Sequence, residues 1–230
     1  MIVGHGLMAK AFSGYQQNEK VLIFASGVSD SKFSAQDAFN RERDLLAHTI
    51  YENKTKKLVY FGTCSVNDPD LQNSIYVQHK MDMEKVIQLS GIEYSIFRLP
   101  NVAGFSGNPN TILNFLYSHI ANKKPFDLWK NSERNVIDIT DVFNTVDHVL
   151  KNDLFTNNIV NIANTNNYPV RYIISCIEHF CDEKAIYTEI EKGVKFSIDL
   201  ADILPVYSLL NIEFGDGYLP HLLEKYYSKK

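Results

Sequence analysis

The stretch Ile2-Val3-Gly4-His5-Gly6-Leu7-Met8-Ala9 combines an apolar strand, a glycine turn and the first residues of a helix. Its GxGxxA spacing puts one glycine at the tight turn and a second where backbone approaches a phosphate, and it ends on a small residue where helix packs on strand. Backbone N–H groups at the helix start would then face the phosphates. Because glycine turns also end many strands for geometric reasons alone, the motif predicts nucleotide binding only together with other signals.

Short apolar runs and helical patterns alternate along the chain after this stretch. Such an alternation predicts an α/β fold with a doubly wound, mostly parallel, Rossmann-like sheet. Right-handed crossovers would bring the carboxyl ends of the strands to one edge, where ligands bind in open α/β sheets. The predicted strands are Met1–Val3, Val21–Ala25, Lys57–Gly62, Tyr94–Leu99, Asn135–Ile139 and Ile159–Ile162. The predicted helices are Leu7–Gln16, Asp37–Tyr51, Tyr76–Gln88, Ile112–Ala121 and Asp141–Lys151.

The last third of the chain has a different pattern, in which short helical stretches are separated by turn residues. We expect residues 1–165 to form a Rossmann-like cofactor-binding domain with a substrate loop near residues 100–135. Residues 166–230 are expected to form a small, mostly helical substrate lobe that closes over the strand edge. Its predicted helices are Tyr172–Phe180, Ala201–Leu210 and Leu219–Tyr227.

The composition argues against several classes of protein. The 230 residues carry a net charge of −4 and have an isoelectric point near 6.0, without the basic surplus of a general nucleic-acid binder. The seven histidines show no HExxH-type spacing, so no metal site is predicted. The three cysteines are too few for a disulfide framework. No basic leader or apolar run of about 18 residues is present, and we expect a cytoplasmic protein without membrane insertion.

Tyr76 and Lys80 lie one turn apart at the start of a predicted helix and therefore share a face. An ammonium group near a phenol favours the phenolate and suits the phenol to general acid–base work. The YxxxK spacing is common by chance, and Tyr226 with Lys230 is a second match without such a context. The residues around Tyr76 therefore decide its interpretation.

Those residues occur in an order that resembles the extended short-chain dehydrogenase/reductase family, with its nucleotide-sugar epimerases, dehydratases and 4-keto-sugar reductases. Leu58–Val66 resembles the strand that ends in the family's catalytic Ser/Thr, and Tyr76, Lys80 and Glu84 follow in its Y-x3-K-x3-E order. Three further segments resemble the family's later strands and substrate loop, namely Tyr94–Gly104, Glu133–Val142 and Val160–Ala163. Ordered matches over most of the chain are more specific than any one motif.

The resemblance implies a role for each matching residue. The implied catalytic residues are Tyr76, which exchanges a proton with the substrate, Lys80, which supports it, and Thr63, which donates a hydrogen bond to the reacting oxygen. Ser65 is an alternative to Thr63 and otherwise contacts substrate, as do Asn101 and Arg134. The implied cofactor, NAD or NADP, would contact Gly4, His5, Gly6, Leu7, Met8, Ala25, Ser26, Gly27, Lys80 and Pro100.

The sequence also departs from the family pattern. The strand Val21–Ala25 is followed by Ser26-Gly27-Val28-Ser29, with no acidic residue for the ribose hydroxyls at its tip. If this strand corresponds to the one that lines the cofactor in the family, the usual second and third strands have been skipped between Gln17 and Val21. Cys64-Ser65 stand where the family's dehydratases carry Asp-Glu, which argues against 4,6-dehydration.

The sequence thus predicts an NAD(P)-dependent reductase or epimerase acting on a nucleotide-activated sugar. Two alternatives stay open. One is a degenerate family member that binds a nucleotide or nucleotide-sugar without turnover, and the other is a nonredox nucleotide-sugar enzyme or binding protein that uses Gly4–Ala9 for a mononucleotide only. A homodimer through the predicted helices Asp37–Tyr51 and Tyr76–Gln88 is a further expectation from the resemblance.

Overall fold

A computed structural model describes residues 1–27 and 36–228. The strands are β1 (Ile2–Val3), β2 (Val21–Phe24), β3 (Lys57–Thr63), β4 (Tyr94–Leu99), β5 (Asn101–Ala103), β6 (Phe126–Trp129), β7 (Glu133–Asp138), β8 (Asn158–Asn161), β9 (Asn167–Pro169) and β10 (Tyr187–Ile190). The helices are α1 (Leu7–Ala11), α2 (Gln36–Glu52), α3 (Ile75–Leu89), α4 (Ile112–Ala121), α5 (Ile139–Lys151), α6 (Val170–Cys181), α7 (Leu204–Leu210) and α8 (Tyr218–Tyr227). The predicted α/β fold with a mostly parallel central sheet is confirmed.

The central sheet has five parallel strands in the order β1-β2-β3-β4-β8. Every residue of β2 and β3 is buried, which explains why both strands read as continuous apolar runs rather than as an alternation. All five strands point the same way, so their carboxyl ends meet at one edge. The first strand, β1, is the outermost strand on its side of the sheet.

Helices cover both faces of the sheet. One apolar cluster joins side chains of α1, α5 and α7 to the sheet, and another joins α2 and α3 to the opposite face. Because β1, β2 and β3 follow one another in a single direction, α1 and α2 on opposite faces require connections of opposite hand. The expectation that all crossovers are right-handed is therefore wrong for one of these two. The side chains that α1 contributes, such as Phe12 just after it, pack against α5 and β3 on the α5 face.

Helix α1 is shorter than the predicted Leu7–Gln16. It ends at Ala11, and a 3₁₀ turn, Ser13–Tyr15, leads back toward β2. Phe12 is fully buried between Phe61 and Phe143, at ring-centroid distances of 5.4 and 5.2 Å. Two features end the helix here. The buried ring of Phe12 fixes the chain at this point, and the serine and glycine that follow are poor helix formers.

A second apolar core, away from the main sheet, lies between α4, α6 and α8 and two small sheets. The strands β5, β7 and β9 form one small sheet, and β6 pairs with β10 in the other. Strands β5, β6, β9 and β10 were absent from the sequence prediction, because runs of three or four residues are too short to show a period. Within the described residues, no helix has the length and apolar content needed to span a membrane.

The end of α8 is tied to the rest of the chain. Tyr226 Oη donates a hydrogen bond to Asp138 Oδ1 (2.6 Å), and Lys225 Nζ pairs with Asp138 Oδ2 (2.6 Å). The tyrosine of the second YxxxK match therefore has a structural contact, because it binds the residue that caps the start of α5. Its lysine, Lys230, lies outside the described residues.

Candidate functional site

The glycine turn after β1 lies directly against the tip of β2. Gly4 has φ +128°, and a Cβ atom placed on it would lie 2.4 Å from the Ala25 carbonyl oxygen and 2.8 Å from the Ser26 nitrogen. Only glycine fits this position, because both the backbone angle and the close approach exclude a side chain. His5 and Gly6 are exposed, and a Cβ atom at Gly6 would meet nothing within 4 Å.

Helix α3 carries the predicted Tyr76, Lys80 and Glu84 on its sheet-facing side. The helix begins after Ser74, whose Oγ accepts a hydrogen bond from Val77 N (3.2 Å) and caps the first turn. Tyr76 is 8% exposed and Lys80 is 3% exposed. The four-residue spacing thus places the phenol and the ammonium group side by side under the sheet edge.

Lys80 is held by two partners that the sequence analysis did not include. Its Nζ donates to Glu42 Oε1 on α2 and to Tyr60 Oη on β3, both at 3.1 Å. The other carboxylate oxygen of Glu42 lies 3.0 Å from His79 Nε2. Glu42 comes from a separate helix, and no local pattern of the sequence connects it with Lys80.

The electrostatics of this cluster favour the charged ammonium. Burial by itself would lower the pKa of Lys80, but the neighbouring Tyr60 and Glu42 outweigh it, and the pKa is raised. Burial raises the pKa of Tyr60, against the opposing effect of Lys80, so Tyr60 stays a neutral phenol. The cluster therefore holds a cation paired with one buried carboxylate.

Gly27 connects this cluster with the glycine turn. A Cβ atom placed on Gly27 would lie 2.8 Å from Lys80 Nζ and 3.0 Å from Glu42 Oε1. The tip of β2, which runs from Ala25 to Gly27, therefore touches Gly4 at one end and Lys80 at the other. The structure brings together the predicted glycine turn, the predicted β2 tip and the predicted catalytic lysine.

Thr63 and Ser65 lie at the carboxyl end of β3, close to the same sheet edge. Thr63 is buried, and its Oγ1 accepts a hydrogen bond from Ser65 N (3.1 Å), which leaves its hydroxyl proton available. Between them, Cys64 Sγ contacts the Arg98 carbonyl oxygen at 3.2 Å. Burial raises the pKa of the Cys64 thiol to about 12, which argues against a nucleophilic role.

Two predicted substrate residues, Asn101 and Arg134, lie on the small sheet of β5 and β7. Asn101 Nδ2 donates to the Asn135 carbonyl oxygen (2.9 Å), and Arg134 Nη1 donates to the Glu133 carbonyl oxygen (2.8 Å). Burial lowers the pKa of Arg134, while the charge of Asp68, on the loop that follows Thr63, opposes this. Among the described residues, neither side chain hydrogen-bonds to Tyr76 or Lys80.

Three further residues were predicted to contact the cofactor, namely Leu7, Met8 and Pro100. A Cβ atom on Gly104 would lie 2.7 Å from Leu7 Cδ1, so the segment after β5 packs onto the glycine turn. Met8 packs against the apolar core beneath α1, which leaves its backbone as the part that faces the edge. Pro100 is half-buried directly after β4.

Comparison with known proteins agrees with this arrangement. Residues 7–163 match the model of the NAD dependent epimerase/dehydratase family. The chain belongs to this family. It is a family of enzymes with NAD as its cofactor, as the sequence analysis expected from the resemblance. No curated protein matches the chain.

Several solved structures of such enzymes are similar to the chain. A UDP-glucuronic acid 4-epimerase from Bacillus cereus, in complex with UDP-glucuronic acid and NAD, has 18% identity and a TM-score of 0.71 over 92% of this chain and 75% of that one. The UDP-glucose 4-epimerase of Thermus thermophilus, in complex with NAD, has 13% identity and a TM-score of 0.68 over 94% and 80%. A dTDP-glucose 4,6-dehydratase from Bacillus anthracis, in complex with NAD, has 14% identity and a TM-score of 0.68 over 95% and 77%. At such identities the likeness shows the fold, and the coverage confirms a shortened form.

Proposed function

We propose that this chain is an NAD(P)-dependent reductase or epimerase of a nucleotide-activated sugar, with Tyr76 as its general acid–base residue. The observation that carries the proposal is the contact chain from Gly4 through the β2 tip to Lys80. This contact chain supports the proposal because it links Lys80 of α3 to a glycine turn of the kind that dinucleotide-binding folds use for their cofactor.

The acid–base part of the proposal rests on two hydrogen-bond donors, the Tyr76 hydroxyl and the third N–H of Lys80. Tyr76 Oη makes no hydrogen bond within the described part of the chain, so it is available to a substrate oxygen. An ammonium group has three N–H donors, and Lys80 uses one on Glu42 and one on Tyr60. The third supports the Tyr76 phenolate or holds a ribose hydroxyl, and Glu42 keeps the ammonium charged.

The nicotinamide side of the site fits the family's cofactor. Gly4 and Gly6 leave backbone exposed at the turn, where a phosphate can approach, and Lys80 offers its third donor. When bound, the nicotinamide supplies hydride chemistry that the side chains lack. Tyr76 then transfers the matching proton to or from the sugar oxygen, and Thr63 donates a hydrogen bond to that oxygen.

The substrate assignment follows from the family and from its solved members, which include the B. cereus enzyme with UDP-glucuronic acid bound. Arg134 would bind the pyrophosphate of such a substrate, and Asn101 its sugar or phosphate. The charges of Asp68 and Asp70, on the loop after Thr63, act on the same guanidinium group. Ser65 lies at the start of that loop and would contact the same substrate.

The test is the Tyr76→Phe variant, assayed with NAD and a panel that includes UDP-glucose and UDP-glucuronic acid. General acid–base catalysis contributes about 10²- to 10⁴-fold, so kcat with any substrate that the wild type converts is expected to fall by that factor. Tyr226→Phe, in the second YxxxK match, is the matched control and is expected to retain turnover. Nearly full activity of Tyr76→Phe would refute the proposal.

A second candidate is a family member that binds a nucleotide or nucleotide-sugar without turnover. It is favoured by the burial of Lys80 under Gly27, which restricts the room for a cofactor beside the ammonium. Saturable binding of NADH or NADPH, combined with no conversion of any nucleotide-sugar, would select this candidate. Failure of both cofactors to bind would abandon the redox function altogether.

We also propose a homodimer, through α2 and α3. These helices expose large apolar side chains, of which Tyr51 is 68% exposed and Leu89 is 87% exposed. Light scattering after size-exclusion chromatography measures the mass directly, and a monomer at micromolar concentration would contradict the proposal. A cytoplasmic location remains a prediction from the sequence, consistent with the three free thiols of Cys64, Cys176 and Cys181.

A further inference from the structure

The position of β1 in the sheet sets the extent of the cofactor site. In a dinucleotide-binding fold the pyrophosphate crosses at the glycine turn, and the two nucleosides extend to opposite sides of it. Here the turn follows β1, which is the outermost strand of the central sheet. One nucleoside would therefore lie over the sheet, and the other would extend past its edge.

Gly4, the first glycine of the turn, contacts the strand on the inner side of β1. Gly4 approaches Ala25 and Ser26 of the β2 tip, and Gly27 of that tip lies against Lys80. Tyr76 lies one helical turn before Lys80 on α3. Among the residues that the structure describes, β1 pairs only with β2. The side chains assigned to the chemistry thus surround the position of a nicotinamide and its ribose.

The segment that joins α1 to β2 is too short to add another strand on the far side of β1. Residues 12–20 form this connection, and they return through the 3₁₀ turn Ser13–Tyr15 directly to β2. A crossover connection to a parallel strand takes about a dozen residues or more. The segment 12–20 is therefore too short to hold an additional strand with its crossover. In dinucleotide-binding folds the acidic residue for the second ribose follows a strand on that far side, and residues 12–20 form no such strand.

We propose that this site recognises the nicotinamide mononucleotide half of its cofactor and makes little use of the adenosine half. The ligand class is a nicotinamide mononucleotide, and NAD and NADP bind through the same half with similar affinity. This inference rests on the proposed cofactor site and specifies which part of the cofactor that site holds. It also implies that the 2′-phosphate, which distinguishes NADP from NAD, finds no selective partner.

The experiment is a calorimetric titration of the full chain with NADH, NADPH and reduced nicotinamide mononucleotide. The three dissociation constants are expected to agree within about threefold, which corresponds to less than 1 kcal/mol. AMP at millimolar concentration is expected to leave NADH binding unchanged. A mononucleotide that binds more than about thirtyfold more weakly than NADH, or a tenfold preference between NADH and NADPH, would overturn the inference.

Two variants locate the binding at the glycine turn. Gly6→Asp adds a negative charge where the phosphate would lie, and it is expected to weaken NADH and the mononucleotide by the same factor, about tenfold or more. Gly14→Asp is the matched control, because Gly14 is likewise exposed with nothing within 4 Å of a Cβ atom. Binding of NADH without the mononucleotide would reject this inference and leave the proposed function standing. Absence of binding by all three ligands would reject both.

Discussion

Helix α3 carries two buried ion pairs, and they differ in geometry and in their place in the sheet. Lys80 gives one hydrogen bond to Glu42, whereas Arg98 gives both Nε and Nη2 to Glu84, at 3.0 and 2.6 Å. Each pair lies against a glycine. Lys80 lies beneath Gly27 at the tip of β2, while the carboxylate of Glu84 lies beneath Gly62, within β3.

The difference shows how one kind of contact serves two purposes. The forked pair of Glu84 and Arg98 gives each oxygen of the Glu84 carboxylate a donor and joins α3 to β4 in the body of the sheet. The pair of Lys80 and Glu42 lies at the sheet edge and keeps a donor free in addition to its charge. We therefore expect loss of the first pair to affect folding alone, and loss of the second to affect both folding and chemistry.

Lys80→Met is expected to have the largest effect. It leaves the carboxylate of Glu42 buried without its cation, which costs about 3–5 kcal/mol for a broken buried pair, although the nearby His79 offsets part of this. It also removes the group proposed to support Tyr76, so turnover should be lost. Urea denaturation measures the first effect, and the nucleotide-sugar assay measures the second.

The double variant Lys80→Met with Glu42→Gln separates these two effects. With the carboxylate neutralised, much of the stability is expected to return, because the uncompensated charge is gone. Turnover is expected to stay absent. If the double variant recovers activity along with stability, Lys80 acts only in folding.

Arg98→Met is expected to reduce stability by about 2 kcal/mol, less than Lys80→Met, because its guanidinium is partly exposed and water can reach the carboxylate left behind. Below its unfolding temperature, kcat/KM of this variant should stay within about threefold of the wild type. A large loss of kcat/KM in a folded Arg98→Met protein would show that the two pairs are not separate in function.

Much of this contrast was present in the sequence. The spacing of Tyr76, Lys80 and Glu84 places them on one helical face, and the missing acid at the β2 tip pointed to the lost strands. Glu42 could not be found in this way, since it approaches Lys80 from another helix and only tertiary packing sets that contact. The hand of the α1 connection was missed for the same reason. It depends on the face against which Phe12 packs.

The division of the chain at residue 165 stays a prediction. The second apolar core draws on residues from both sides of that point, including Leu113 and Leu116 of α4 together with Ile173 and Leu222. The family resemblance pointed to a substrate loop near residues 100–135, but strands as short as β5 and β6 carry no periodic signal. Their positions depend on long-range pairing with β7 and β10.

Glu42→Gln should change the pH dependence of turnover, with a smaller effect on stability than the removal of Lys80 or Arg98. Glu42 is one cause of the raised pKa of Lys80, so the amide should lower that pKa, and the ammonium should lose its proton at a lower pH. The alkaline limb of kcat/KM is expected to move down by about one pH unit. Glu84→Gln is the control and should leave this limb in place. An unmoved limb in Glu42→Gln would assign Glu42 a structural role only.

The smallest effect is expected from Asp138→Asn, in a third ion pair, which joins the start of α5 to α8. Burial by itself would raise the pKa of Asp138, but hydrogen bonds from Lys225 and Tyr226 outweigh it, and the pKa is lowered. A carboxyl with a lowered folded pKa stabilises the protein above its unfolded pKa of about 4, and this stability is lost as the pH falls through the folded value. Asp138→Asn should therefore flatten the acid side of the stability profile, measured by thermal unfolding between pH 3 and 7, and leave turnover intact.

The buried thiol of Cys64 makes it possible to measure local opening of the sheet by chemical labelling. Its thiol lies behind Thr63 with Sγ against the Arg98 carbonyl, and a pKa of about 12 leaves almost no thiolate at neutral pH. An alkylating reagent would modify the half-exposed Cys176 and Cys181 first and reach Cys64 only when β3 and β4 separate. The rate of that slow labelling, followed by intact mass, would report how often β3 separates from β4, and its suppression by a ligand would measure how strongly binding opposes this opening.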